Sequence, residues 1–263
     1  MRAIILAAGR GGRLQPAVGD RPKCLARIGS RTLLERQIDE LSAAGITRIT
    51  VVAGYQLDDV RRTCPRGVEI VQNARYASTN SLYSLWLVRD LLREGFLVLN
   101  CDVLFHPQML SDLLTARHDD ALLVAARTDA APYGDEEMKV HIRRGLVRGI
   151  AKTLADEDSD AENVGIARFG ANGAAALVDQ MNRIVAHGNV REWLPRAFDA
   201  LCRQRPLHAV DHRGFPWIEI DFPEDYWRAC SEVLPAIEGA GRSATATQEG
   251  PAAVASRRTI RHV

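Results

Sequence analysis

The run Ala3-Ile4-Ile5-Leu6 is apolar on both of its faces and opens directly into Ala7-Ala8-Gly9-Arg10-Gly11-Gly12-Arg13-Leu14. A strand without a polar side belongs in the middle of a parallel sheet, with helices covering both surfaces. Glycines at the end of such a strand let the backbone approach closely and aim its N–H groups at anionic oxygens. Arg13 and the Lys23 of Pro22-Lys23-Cys24 would add full positive charge, one as a fork and one as a point. The alternative is a glycine-rich turn with solvated cations. The strand before the glycines and the Pro-Lys after them favour a polyphosphate site.

Two commoner glycine loops are excluded. A P-loop needs Lys and then Ser or Thr directly after its last glycine, where this chain has Arg13 and Leu14. A dinucleotide fingerprint needs Gly or Ala where Leu14 stands, and an acidic residue closing the second strand, where Ala53-Gly54 stand.

The same alternation of apolar strand and amphipathic helix continues along the chain. A helix is expected over Thr32–Ala44, with Leu33, Leu34, Ile38 and Leu41 inward and Gly45 as its C-terminal cap. Strands follow at Thr47–Ala53, Val68–Val71, Phe96–Leu99 and Ala121–Ala126, separated by helices at Gln56–Cys64, Thr79–Arg93 and Pro107–Ala116. This order predicts an α/β fold of Rossmann-like type: a mixed, mostly parallel central sheet flanked by helices. Beyond it come strand-like segments at Met138–Arg143, Leu146–Lys152 and Val164–Phe169, with Arg144-Gly145 as a hairpin turn. Helices at Ala174–Ala186 and Val190–Arg203, strands at Leu207–Asp211 and Trp217–Ile220, and a helix from Pro223 to about Ile237 complete one domain, 1–237. The Gly-, Ala-, Ser- and Thr-rich stretch 238–263 reads as a disordered tail.

Composition narrows the partners. A formal net charge of +1 gives no reason to expect a nucleic acid polymer or a membrane surface. The five cysteines are scattered without a C-x-x-C pair, which argues against a disulfide framework or a zinc site. No apolar run approaches the roughly 20 residues that span a bilayer, and the chain starts straight into a strand with no signal peptide. A cytoplasmic protein is expected.

Ligands of open parallel sheets bind beyond the carboxyl ends of the strands. The glycine loop, Asn73–Ser81 and Asp102 all fall there. Asp102 ends an apolar strand, where a carboxylate is costly unless solvated, paired or bound to metal; a helix N-cap is the plainer alternative. In Trp217-Ile218-Glu219-Ile220-Asp221 the alternation places Glu219 and Asp221 on one face and the isoleucines on the other. Asp221 could equally cap the last helix. Together Asp102 and Asp221 could hold Mg²⁺, which takes few protein carboxylates and completes its shell with phosphate and water. His106, His208 and His212 show no ligand spacing. Tyr83, Trp86, Tyr133 and Trp217 could cage a quaternary ammonium, with core packing the alternative for Trp86.

The stretch Leu6–Leu14, with Pro16 and Pro22-Lys23-Cys24-Leu25, resembles the signature loop of the nucleotidyltransferases that activate sugar 1-phosphates and small phosphorylated alcohols. Asn73, Tyr76 and Thr79–Leu85, with Glu137–Val140, Ala161–Gly165 and Trp217–Asp221, are similar to the branch of cytidylyltransferases acting on phosphocholine and phosphonates. Asn100-Cys101-Asp102 departs from the commoner Gly-Asp or Ser-Asp but keeps the aspartate.

The resemblance implies a division of labour. Leu6, Ala7, Ala8, Gly9, Gly11 and Gly12, with Asn80 and Ser81, would bind the nucleotide. Arg13 and Lys23 would be the catalytic cations on the phosphates, and Asp102 and Asp221 the Mg²⁺ ligands. Tyr83, Lys139, Lys152, Glu162 and Glu219 would face the acceptor. The expected reaction is transfer of CMP from CTP to a small phosphorylated acceptor, with pyrophosphate released. A sugar-1-phosphate nucleotidylyltransferase using UTP, dTTP or GTP, and a catalytically silent nucleotide-binding regulator, are the rivals. A homodimer is left open.

Overall fold

The computed structural model of the chain describes residues 1–126, 134 and 136–239. Tyr133 and nearly all of the expected tail lie outside the described residues.

The first half builds β1 (Arg2–Ala7), the helical turn α1 (Gln15–Val18), the small hairpin β2 (Arg27–Ile28) and β3 (Arg31–Thr32), and α2 (Leu33–Ala43). Then come β4 (Arg48–Ala53), α3 (Leu57–Thr63), β5 (Glu69–Gln72), α4 (Ser81–Leu87), β6 (Phe96–Asn100) and β7 (Val103–Phe105). The second half adds α5 (Pro107–Thr115), β8 (Ala121–Ala126), β9 (Lys139–Arg143), β10 (Leu146–Ala151) and β11 (Ala161–Phe169). The helices α6 (Ala171–Ala186) and α7 (Pro195–Cys202) follow, then β12 (His208–Asp211), β13 (Trp217–Glu219) and α8 (Pro223–Arg228).

Nine strands form one sheet in the order β5-β4-β1-β6-β11-β8-β12-β10-β9. β1 pairs in parallel with both β4 and β6, as its double-sided apolar character requires. Ile4 and Leu6 pack into one face with helices α4, α6 and α7. Ala3, Ile5 and Ala7 pack into the other with α2, α3 and α5. The mixed α/β expectation is met, and the sheet order adds what chain order alone did not give. β8 does not adjoin β6; β11 is inserted between them and runs antiparallel to both. Strand pairing is non-local, so strand order in the chain could not reveal this insertion.

Local signals hold at several boundaries. Thr32 and Glu35 form a reciprocal capping box on α2, and Gly45 (φ +80°) follows its end. Arg144 and Gly145, both at positive φ, turn β9 into β10. Other helices are shorter than expected. The Thr79–Arg93 stretch is helical only over Ser81–Leu87, with a separate turn at Arg89–Leu91. The Val190–Arg203 stretch becomes helical only at Pro195. α8 passes through a π-helical turn, Ala229–Val233, before helical residues 234–239.

Two features outside the main ladder position the site. β13 pairs with β7 so that Glu219 lies opposite Val103, and Ile220 N–H donates to the Asp102 carbonyl. Ile218 and Ile220 face a third apolar cluster with Leu14, Ile28 and Leu234. Alternation then turns Glu219 and Asp221 the other way, toward the carboxyl ends of β1 and β6.

Candidate active site

A cleft of about 350 Å³ lies at these strand ends. One wall is the glycine loop, from Leu6 and Ala8 through Gly12 to Arg13. Gly11 sits at φ +68°, and a Cβ there would come within 2.5 Å of the Lys23 Cβ. The loop therefore folds down on the Lys23 stem, which only glycine permits. Gly9 and Gly12 have nothing within 4 Å of a built Cβ, so the space before them is open to a ligand. Ala7 faces the core instead and does not line the cleft, because it alternates with Leu6 and Ala8 on β1.

The floor holds the charges. Lys23 Nζ donates to Asp102 Oδ2 at 2.8 Å and also to Asp221 Oδ1. Its side chain is only 11% exposed. Burial opposes the ammonium, but the facing Asp102 and Asp221 carboxylates outweigh it and push Lys23 above its ordinary value. Burial, then Asp102 and Asp221, push the Glu219 carboxyl well up, with Lys23 acting against them. Neither aspartate caps a helix: His106 caps α5, and Asp225 accepts from Asp221 N–H and Phe222 N–H at the start of α8. Arg13 reaches Asp221 Oδ1 at 3.3 Å and lies over the Phe222 ring at 4.7 Å.

The opposite wall runs from Asn73 to Ser84. Buried Asn73 donates to Thr79 Oγ1 at 3.0 Å and Ser84 Oγ at 3.1 Å, bracing the approach to α4. Asn80 and Ser81 line the cleft as expected. Ser81 Oγ also accepts from Leu194 N–H at 2.8 Å, and Asn80 N–H donates to the Val190 carbonyl. These bonds place Trp193 at the rim.

Of the expected acceptor residues, Lys152 and Glu219 line the cleft. Three do not. Tyr83 is buried on α4, stacked on Trp86 at 5.4 Å. Lys139 Nζ turns to the Leu154 carbonyl and Asp156 Oδ1, at 3.0 and 2.7 Å. Glu162 pairs with Lys139 in register across β11 and β9 and is not part of the lining, though it acts electrostatically on Glu219. Burial, then Glu137, push the Glu162 carboxyl up to about 7. Trp86 and Trp217 likewise pack against core clusters and are not among the cleft's lining residues.

Three lining residues escaped the sequence reading: Glu136, Trp193 and Pro195. Glu136 bridges Arg13 and Lys152, at 2.8 and 2.7 Å. Trp193 is 48% exposed, with Lys152 Nζ 5.1 Å from its ring centroid. Pro195, a favoured first helical residue, was the available sign that Trp193 precedes its helix. Nothing in the sequence marked Glu136 apart from its neighbour Glu137.

Among the described residues no helix is long and apolar enough to cross a membrane. Comparison with known proteins agrees with the geometry. Residues 3–165 match the model of the MobA-like NTP transferase domain. The chain is 38% identical over 240 residues to the choline-phosphate cytidylyltransferase of Streptococcus pneumoniae, covering 89% of this chain and 98% of that protein. It is 25% identical over 248 residues to the CTP:phosphoglutamine cytidylyltransferase of Campylobacter jejuni, covering 86% and 97%. A solved structure of the pneumococcal CTP:phosphocholine cytidylyltransferase superposes with a TM-score of 0.69 at 26% identity, over 86% of this chain and 96% of that one. The inositol-1-phosphate CTP transferase of T. maritima shares the fold, with a TM-score of 0.75 at 21% identity over 90% and 94%. With the glycine loop, Lys23 and the paired aspartates converging on one cleft, the chain belongs to the MobA-like NTP transferase family, as a nucleotidyltransferase of cytidylyltransferase type.

Proposed function

We propose that this enzyme transfers CMP from CTP to a small phosphorylated or phosphonate acceptor, with Mg²⁺ as cofactor. The observation that carries the reading is the convergence of Arg13, Lys23, Asp102 and Asp221 at the mouth of the glycine loop. An acceptor oxygen forms a bond to the α-phosphorus, the bond to the β-phosphate oxygen breaks in line, and pyrophosphate leaves with that electron pair. The nucleophile is already an anion, so no side chain need activate it. The barrier lies in bringing two polyanions together. Arg13 and Lys23 offset that repulsion, and the open space before Gly9 and Gly12 admits the triphosphate to the backbone.

The donor set fits a divalent cation. Asp102 Oδ1 is buried with no hydrogen-bond partner, a costly state for a carboxylate oxygen. Asp102 and Asp221 already share one cation, the Lys23 ammonium. Among the described residues no group of three or more His, Cys, Asp or Glu is set to hold a metal. Asp102 and Asp221 would therefore hold Mg²⁺ with phosphate and water oxygens. Bound there, the ion supplies neutralisation of phosphate charge.

The cytidylyltransferase relatives favour CTP, and their acceptors, phosphocholine and phosphoglutamine by name, favour a small phosphate ester. A panel of CTP, UTP, dTTP, GTP and ATP, tested with phosphocholine, aminoethylphosphonate and sugar 1-phosphates for pyrophosphate release, checks this. Turnover is expected with CTP. Activity confined to UTP, dTTP or GTP with a sugar 1-phosphate would replace this reading.

A further inference from the structure

Charges along the cleft alternate without a break: Asp102, Lys23, Asp221, Arg13, Glu136, Lys152. The two aspartates have a use as metal ligands. Glu136 has none in the reaction described above, and a further acidic group beside Asp102, Asp221 and Glu219, in a site built for polyanions, opposes their binding.

Its geometry gives it another role. Each oxygen of Glu136 takes one cation, Oε1 from Arg13 Nη1 at 2.8 Å and Oε2 from Lys152 Nζ at 2.7 Å. Both cations are also steadied from behind, Arg13 by the Phe222 ring and Lys152 by the Trp193 ring. Lys152 and then Arg13 hold the Glu136 carboxyl below its ordinary range. Two oxygens of one anionic group, each facing one of two pre-placed cations, is also how a phosphate would sit there.

We propose that Glu136 is an internal stand-in for a substrate phosphate. Its carboxylate bridges the Arg13–Lys152 pair in the ligand-free protein, and a phosphate group must displace it to enter. Glu136 is thus a specificity-determining residue. A ligand carboxylate would exchange one single negative charge for another and gain little. A phosphate dianion brings more charge to the same two cations and wins the exchange. Rotation of an exposed glutamate side chain is all the displacement requires. The inference rests on the nucleotidyl-transfer reading only in taking a phosphate group as the ligand.

Titration calorimetry with inorganic tripolyphosphate, without metal or acceptor, tests it on the full chain. Glu136→Gln keeps the shape and removes the charge, and should bind tripolyphosphate about tenfold more tightly than the wild type, the scale of one or two partly exposed ion pairs. Glu94→Gln removes the same charge from an exposed pair with Arg48, outside the cleft lining, and should leave affinity unchanged. Equal or weaker binding by Glu136→Gln, or equal tightening by Glu94→Gln, would overturn the inference alone. If neither the wild type nor Glu136→Gln binds tripolyphosphate, the inference falls, while the nucleotidyl-transfer reading is judged separately by pyrophosphate release from CTP with Mg²⁺.

Discussion

Lys23 shows how one side chain can serve two states of a site. Its ammonium is nearly buried, yet it stays charged because Asp102 and Asp221 face it. Replacing it with Met keeps the stem against Gly11 but leaves Asp102 without its cation and Asp221 with Arg13 alone. Turnover should fall by about a hundredfold to a thousandfold, as when one preorganised electrostatic contact is lost. The melting temperature of the ligand-free protein should fall too, since a half-buried charge left unpaired is destabilising. Pyrophosphate release and a thermal melt read the two effects separately. Near-normal turnover would remove Lys23 from the catalytic group. Lys23→Arg should not rescue activity, because a planar fork cannot sit as a point charge between two carboxylates.

At the scale of elements, the glycine loop makes unequal demands on its residues. Gly11 needs its positive φ and its lack of a Cβ, whereas Gly12 has open space in front of it. Gly11→Ala should destabilise the protein by about 1–2 kcal/mol from the left-handed backbone alone, and more from the clash with Lys23. Gly12→Ala should melt like the wild type while raising KM for the triphosphate, because its methyl would occupy space open to the ligand. Equal melting temperatures for the two variants would contradict this division. Both roles were legible in the sequence as one glycine run; only the backbone separates them. Much of the rest was legible for the same local reasons. Period-two alternation gave Glu219 and Asp221 their common face, and a capped apolar stripe gave α2. What local pattern could not give was where a helix stops when its sequence stays helix-compatible. Thr79–Arg93 therefore looked continuous, and Tyr83 looked free when it is on the buried side of a shorter helix. Lys139 and Glu162 were placed by motif, but strand register pairs them with each other and neither is part of the cleft lining.

On the scale of the whole molecule, the sheet joins a parallel portion, β5-β4-β1-β6, to a second portion across β11, and the active-site charges hang over that join. Within the second portion, where β12 starts beside β8, His118 and His208 form a stacked pair with ring centroids 3.4 Å apart. His208 follows Leu207 into β12, and its N–H donates to the Asp120 carbonyl beside β8. Burial, then the nearby His118, hold His208 below its ordinary value of 6.5, with Asp120 acting weakly the other way. The unfolded chain therefore binds a proton at this position more readily than the folded one. A histidine lowered in this way contributes stability that is present above its unfolded value and is lost as pH falls through the folded one. His208's share of the urea midpoint should accordingly decline between about pH 7 and pH 5, against the opposite contribution of Glu162, whose raised carboxyl gains its proton in the fold over the same range. His208→Gln, which cannot titrate, should retain more of its neutral-pH midpoint at pH 5 than the wild type does, whatever that midpoint is, and His118→Gln should show part of the same change. The slope, not the midpoint, is the readout, because either variant also alters packing at the stack. An unchanged slope in His208→Gln would mean that carboxylates elsewhere govern the acid response and that the histidine stack is neutral to it.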